Sequence, residues 1–185
     1  MATEFIPRRV EAPLLETERL RLRGHRPDDF ADSAAMWADP LVTRYIGGKP
    51  LSEEDVWARI LRYLGHWAWL GFGYWVVEDK STGKFAGEMG FSDWKREIVP
   101  SLKGVPEIGW VLATQVHGRG YATEAVRAAL AWGDANILSA QPSLGRTVCI
   151  IHPEHAKSIR VAEKCGFKQV QSTMYKGEPT ILFTR

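Results

Sequence analysis

The sequence predicts a single mixed α/β (α+β) domain, a mostly antiparallel, twisted sheet of about seven strands flanked by about four helices. Three observations carry that expectation. The chain has 185 residues with no internal repeat, low-complexity tract or linker, the size of one domain. Its apolar residues recur at a period of 2 in some stretches and 3.6 in others, in the order strand, two helices, three strands, helix, strand, helix, two strands. Its composition, 45% hydrophobic and 25% charged, is that of a soluble globular protein able to bury a core without metals or bridges.

Each element has its own justification. Residues 1–13, with Pro7 and Pro13, read as a lead-in, and the domain as residues 14–185. Arg19-Leu20-Arg21-Leu22-Arg23 alternates strictly, as a half-buried strand does. Pro27 suits a first helical turn; Phe30, Ala34 and Trp37 follow on one face, and Asp39-Pro40 is expected to close the helix. Ser52 is a plausible N-cap for a second helix with Val56, Trp57, Ile60, Leu61 and Leu64 as its stripe. After Gly71-Phe72-Gly73, residues 74–77 and 84–91 read as a hairpin around Ser81-Thr82-Gly83, and a polar loop runs from about Asp93 to Pro106. From Glu107 to Leu112 alternation returns, with Glu107, Gly109 and Val111 on one face. Ala122, Ala125, Val126, Ala129, Leu130 and Gly133 then repeat with helical spacing. Thr147 to Ile151 is a continuous apolar run, suited to a strand covered on both faces. A helix over about 156–164 stops at Gly166, and strands around 167–172 and 180–183 close the chain.

Composition excludes several classes. Lys and Arg number 24 against 22 Asp and Glu, a net charge of +2, so neither nucleic acid nor a membrane surface is an expected partner. The two cysteines, Cys149 and Cys165, form no CxxC pair and read as reduced core thiols of a cytoplasmic protein. No apolar run approaches the roughly 18 residues of a membrane span, and the first residues hold no apolar signal core. In His152-Pro153-Glu154-His155 the proline breaks any helical face and no third His or Cys lies nearby, so no metal site is expected.

The chemistry concentrates at Gln115-Val116-His117-Gly118-Arg119-Gly120-Tyr121-Ala122-Thr123, between a strand and a helix. A helix N-terminus leaves backbone N–H groups unpaired and carries a partial positive charge. Glycines there let a phosphate reach the main chain. By pattern alone the stretch is either an anion site or a tight turn. It lacks the Lys of a P-loop, which argues against ATP. Thr123 also stands where a dinucleotide motif has its third glycine.

Gln115-x-x-Gly118-x-Gly120 resembles the Q/R-x-x-G-x-G/A signature of the GCN5-related N-acetyltransferases, the GNAT family. Residues 15–23 resemble the opening strand of its RimJ/RimL-like branch of ribosomal-protein acetyltransferases, and Gly109-Trp110-Val111-Leu112 the strand before the signature. His155-Ala156-Lys157-Ser158 through Lys164-Cys165-Gly166-Phe167 resembles that branch's closing helix and turn. The resemblance covers roughly residues 14–183 and implies a single GNAT-like domain. It also implies acetyl-coenzyme A as co-substrate, a primary amine as acceptor (a protein N-terminus or a small molecule), and direct attack in a ternary complex. Backbone groups of Val111 and Leu112 are then expected on the pantetheine arm. The loop from Gln115 through Val116, His117, Gly118, Arg119, Gly120, Tyr121 and Ala122 is expected on the phosphates, with His155 and Ser158 completing the cofactor site.

Departures shape the rest. His155 stands where the family often has Asn, and Ala162 where many members have the Tyr that protonates the leaving thiolate. In the RimJ/RimL-like branch a Ser takes that role, and Ser158 matches it; the alternative is a bond to its own helix backbone. Removing a proton from the amine requires a base. Glu107 is the first candidate, as a desolvated carboxylate on the cleft strand, with Glu88 and His155 behind it. Of the eight tryptophans most read as core, while Trp69 or Trp94 is expected to line the acceptor pocket. Neither cysteine is placed as a nucleophile. The alternative function is a non-catalytic acyl-coenzyme A sensor on the same fold. The sequence does not select the acceptor, and its aromatic-rich surface is compatible with a homodimer.

Overall fold

Leu20 and Leu22 are fully buried while Arg21 and Arg23 turn to Glu78, so the Arg/Leu alternation does build a strand. The computed structural model describes residues 11–140 and 145–185. Most of the lead-in expected over residues 1–13 therefore lies outside the described residues.

Eight strands form one sheet: β1 (Leu15–Glu16), β2 (Leu20–Arg23), β3 (Tyr74–Asp79), β4 (Phe85–Ser92), β5 (Glu107–Leu112), β6 (Val148–Ile151), β7 (Lys168–Tyr175) and β8 (Glu178–Thr184). Their spatial order is β1-β2-β3-β4-β5-β6-β8-β7. Every pairing is antiparallel except β5 with β6. The strand beyond the expected seven is β1, which at two residues is too short to show a period.

The described residues form five α-helices: α1 (Phe30–Ala38), α2 (Pro40–Thr43), α3 (Glu53–Leu70), α4 (Tyr121–Gly133) and α5 (Ala156–Lys164). Asp39-Pro40 does not only close a helix. The Asp39 carboxylate accepts from the Leu41 N–H at 2.8 Å and caps α2, with Pro40 in its first turn. Ser52 caps α3 as expected, in a reciprocal pair with Asp55. That helix runs past Leu64 to Leu70 and ends at Gly71, which takes the left-handed conformation at φ 75°. Trp67 and Trp69 are thus helical.

The two faces of the sheet carry different layers. Helices α4 and α5 cover one, where Ala125, Val126 and Ala129 meet Trp75, Phe91, Ile108, Cys149 and Phe183. On the other, Met36, Trp37, Val42, Val56 and Ile60 form a core under α1–α3, with Val111 packed against it. The 93–106 loop covers β6 and β8 through Ile98 and Leu102. Both cysteines are free and buried, and burial pushes both thiols above their usual pKa.

One relationship positions the site. β5 pairs with β4 along its whole length, Ser92 opposite Glu107 through Gly87 opposite Leu112. With β6 it makes a single register pair, Glu107 opposite Val148. Beyond that rung the parallel strands part.

Candidate active site

The opening between β5 and β6 leads to the glycine loop. After β5 a 3₁₀ turn over Thr114–Val116 precedes Gly118 and Gly120, which sit at φ 78° and 80°. These are left-handed conformations that residues with a Cβ adopt at a cost. Nothing lies within 4 Å of a Cβ added at Gly118, so backbone conformation rather than space dictates that glycine. Gly120 is the N-cap of α4 and contributes no side-chain cap, so N–H groups of the first turn face outward unpaired.

The loop is braced from behind by residues the sequence reading did not single out. Arg19 donates through Nη1 to the Arg119 carbonyl at 2.8 Å and through Nε to Glu124 at 2.7 Å. Thr17 Oγ1 and the Arg19 N–H donate to the other Glu124 oxygen at 2.6 and 2.9 Å. Burial works against the Glu124 charge, but the hydrogen bonds from Thr17 and Arg19 outweigh it and hold the carboxyl below its usual pKa. The Tyr121 ring lies against both the Arg19 and the Arg119 guanidinium, 4.9 and 5.1 Å away. Its hydroxyl donates to Asp79 at 2.7 Å. The signal available was Glu124 in the first turn of a helix, but nothing in the pattern pairs it with Arg19.

A cavity of about 420 Å³ fills the opening. Of the residues expected on the cofactor, Val111, Leu112, Val116, His117, Gly118, Gly120, Tyr121, Ala122, His155 and Ser158 line it. Gln115 and Arg119 are exposed and do not line it. Leu41, Val42 and Ile46 close it from the α2 side, and Lys157, Arg160 and Lys164 give it a cationic rim on α5. An apolar interior, a cationic rim and an uncapped helix N-terminus fit a ligand with a long neutral arm and phosphates.

His155 is the N-cap of α5, and its ring stacks on Tyr45 at 4.8 Å, with His152 on the same Tyr at 5.3 Å. Burial, with smaller contributions from His117, Lys157 and His152, keeps its pKa below 6.5. The Ser158 hydroxyl bonds no carbonyl of its own helix. Ala162 is fully buried.

The carboxylates are engaged. Glu107 is buried, and its two oxygens accept from Arg96 Nε and Nη2, both at 2.7 Å. Arg96 in turn lies over Tyr175 at 4.7 Å and Trp94 at 5.8 Å. Glu107 thus sits in a bidentate ion pair, where the sequence reading pictured a carboxylate governed by desolvation alone. It does not line the cavity. Glu88 is sealed in the core, accepting from Ser33 Oγ at 2.6 Å and Trp37 Nε1 at 3.0 Å, with His25 Nε2 at 3.3 Å. Burial disfavours its charge, yet the hydrogen bonds of His25, Ser33 and Trp37 leave the carboxyl below its usual value.

The tryptophans divide. Trp94 packs edge-on to Tyr63 and Tyr74, 6.3 and 6.0 Å between centroids, and carries Arg62 over its ring. Trp69 is 83% exposed near the end of α3 and does not line the cavity.

A parted parallel strand pair with a glycine loop at a helix N-terminus suits a phosphate-bearing ligand, and comparison with known proteins gives the class. Residues 19–168 match the model of the acetyltransferase (GNAT) domain. The chain belongs to the GNAT family of N-acetyltransferases, whose members use acetyl-coenzyme A. It is 32% identical over 181 residues to the uncharacterized protein YkkB of Bacillus subtilis, covering 92% of this chain and 94% of that one. A putative GNAT-family acetyltransferase from Bordetella pertussis superposes with a TM-score of 0.80 at 29% identity, over 94% of this chain and 99% of that one. A ribosomal-protein-S5-alanine acetyltransferase from Vibrio fischeri shares the fold, with a TM-score of 0.68 at 21% identity over 94% and 96% of the two chains. No helix among the described residues is long and apolar enough to cross a membrane.

Proposed function

We propose that the protein transfers the acetyl group of acetyl-coenzyme A to a primary amine, on a small molecule or a protein N-terminus, by direct attack in a ternary complex. The observation that carries this reading is the parting of β5 from β6 after the Glu107–Val148 pair, ending at the uncapped N-terminus of α4. When bound, acetyl-coenzyme A supplies an activated thioester. The N–H groups of residues 116–121 hold its phosphates, with Lys157, Arg160 and Lys164 adding charge at the rim. The backbone of Val111 and Leu112 orients the arm and steadies the thioester oxygen.

His155 takes the proton from the amine, because it lines the cavity and burial keeps it neutral. Glu107 acting through a water is the second reading, favoured by its place at the only β5–β6 rung. Ser158 gives a proton to the departing sulfur, its hydroxyl being uncommitted within α5. Burial keeps Cys149 and Cys165 as thiols, which supports attack without a covalent enzyme intermediate.

Thermal unfolding with acetyl-coenzyme A, coenzyme A, ATP and NAD tests the reading. Ligand at 100 times its dissociation constant adds about 2.7 kcal/mol, a shift of several degrees. A shift with ATP or NAD alone overturns the cofactor assignment. A coenzyme A shift without thiol release from any amine makes the protein a sensor instead.

A further inference from the structure

The imidazoles of His117 and His152 both bear on that of His155 beside the cleft. Those two are fixed by hydrogen bonds. His117 Nε2 donates to the Leu112 carbonyl at 2.9 Å, and His152 Nδ1 accepts from the Glu154 N–H at 3.2 Å. The His155 ring bonds nothing among the described residues, although its backbone is held on both sides. Its N–H donates to the His152 carbonyl at 2.9 Å, and its own carbonyl accepts from Ser158 and Ile159 at 2.9 and 3.1 Å. Neither ring nitrogen is sealed from solvent, and the residue lines the cavity. An imidazole that takes a proton from a substrate needs a second group to fix its plane. No hydrogen bond supplies it here.

Tyr45 does. Its ring stacks on that of His155 at 4.8 Å with 26° between the planes, and meets that of His152 at 5.3 Å. The Tyr45 hydroxyl bonds nothing among the described residues, so a flat face is what this side chain brings. Tyr45 can act as a clamp because its own segment is anchored. The Thr43 carbonyl accepts from the Ile46 and Gly48 N–H groups at 2.8 and 3.1 Å, a tight turn that presents Tyr45. At the other end of the segment, Asp39 Oδ2 accepts from Thr114 Oγ1 at 3.0 Å.

That anchoring spans the split in the sheet. Thr114 follows β5 and His155 follows β6, so residues 39–46 bridge the two strands beyond their single rung. Leu41, Val42 and Ile46 of the same segment wall the cavity. The ring that holds His155 therefore rides on that wall. The groups facing the imidazole are His117 from the glycine loop, His152 from its own turn and Lys157 from α5, with Arg44 5.2 Å over the Tyr45 ring. None of them is a carboxylate, so no ion pair orients the ring in place of Tyr45.

We infer that Tyr45 is a positioning residue for the transfer: clamped on His155, its ring sets the plane in which that imidazole meets the amine. The inference rests on the acetyltransferase reading with His155 as base, and adds the group through which the base is aimed. Tyr45 does not line the cavity, so it acts through His155.

The experiment measures coenzyme A release from acetyl-coenzyme A by wild type, Tyr45→Phe, Tyr45→Leu, His155→Asn and the double variant Tyr45→Leu with His155→Asn. Spermidine, the standard L-amino acids and an alanine-initiated peptide serve as acceptors, beside coenzyme A titration and thermal unfolding. Tyr45→Leu is expected to lower kcat on the order of tenfold, with coenzyme A affinity kept. An imidazole loosened into solvent regains its ordinary value, so the acid limb moves up towards pH 6.5. Tyr45→Phe keeps the ring and restores both rate and limb. Tyr45→Leu adds nothing to His155→Asn, because the two act as one unit. A full rate in Tyr45→Leu, a loss that Tyr45→Phe shares, or a loss that adds to that of His155→Asn overturns the inference. A lowered melting midpoint or coenzyme A affinity with the limb unmoved makes Tyr45 only a wall of the cleft and also overturns it. Wild-type turnover by His155→Asn sinks the base assignment and this inference together, whereas a slow His155→Asn beside a normal Tyr45→Leu sinks this inference alone. Release from none of the acceptors sinks the transferase reading and this inference with it.

Discussion

Arg19 holds the carbonyl of Arg119, 100 residues further along the chain, at 2.8 Å. The turn before β2 thereby fixes the loop that precedes α4, and Glu124 locks the same guanidinium from inside the helix. Arg19→Ala frees that carbonyl and leaves Glu124 to the Thr17 hydroxyl and the backbone N–H of residue 19. Coenzyme A affinity is expected to fall about tenfold, because a preorganised cradle becomes mobile. The melting midpoint moves little, since the Arg19 side chain is largely exposed. Titration calorimetry on the variant checks both halves of the expectation.

Gly120 tests the cradle itself. At φ 80° any side chain costs about 1–2 kcal/mol, and its Cβ would stand 3.4 Å from Arg19 Nη2. Gly120→Ala therefore weakens the fold modestly, whereas Gly120→Glu adds a negative charge where phosphates are to bind. Coenzyme A binding should drop more than about tenfold further in the Glu variant than in the Ala variant. Undiminished binding by Gly120→Glu refutes the loop assignment.

The acid limb of kcat/KM decides the base. Because burial lowers the His155 pKa, its imidazole stays neutral down to below 6.5 and activity should fall only beneath that pH. The stability sign agrees: the unfolded chain binds the proton first, so this residue weakens the fold as pH drops through 6.5. His155→Asn should slow turnover on the order of a hundredfold and flatten that limb. If Glu107→Gln does so instead, with coenzyme A binding intact, the proton leaves through Glu107.

Glu88 governs acid stability rather than catalysis. Its folded pKa lies below the ordinary value, so its contribution is present at neutral pH and is lost as pH falls below about 4.3. Glu88→Gln leaves Ser33, Trp37 and His25 around a neutral amide and is expected to cost about 2 kcal/mol or more. Its acid unfolding should be less steep than that of wild type. Urea titrations at pH 7 and pH 4 distinguish this from an unperturbed carboxylate.

The sequence disclosed what periodicity encodes. Leu20 and Leu22, the stripe of α4 and the apolar run of β6 each lie where spacing put them, because burial of one face dictates residue type. The glycine loop was legible because a left-handed turn at a helix N-terminus admits few alternatives to glycine. Pairings across the chain were not legible. Arg96 lies in an aperiodic loop, and nothing local ties it to Glu107. Arg59 sits beside the apolar stripe of α3 like any solvated charge, and its stacking 4.1 Å over the Trp37 ring is visible only in the folded chain. The C-terminal hairpin turns at Lys176-Gly177, both at positive φ, which made β7 and β8 longer than their apolar cores suggested.

The single rung between β5 and β6 also divides the sheet into two cooperative units. Continuous ladders run from β1 to β5 and again from β6 through β8 to β7, and beyond the rung the two are joined by the core beneath α4 and α5. In hydrogen exchange such a seam marks where subglobal opening begins, with amides facing it protected less than those facing β4 or β8. A ligand seated in the seam takes over the hydrogen bonds that the missing ladder leaves unmade. Coenzyme A should therefore slow exchange on both sides of the seam together, turning two folding units into one.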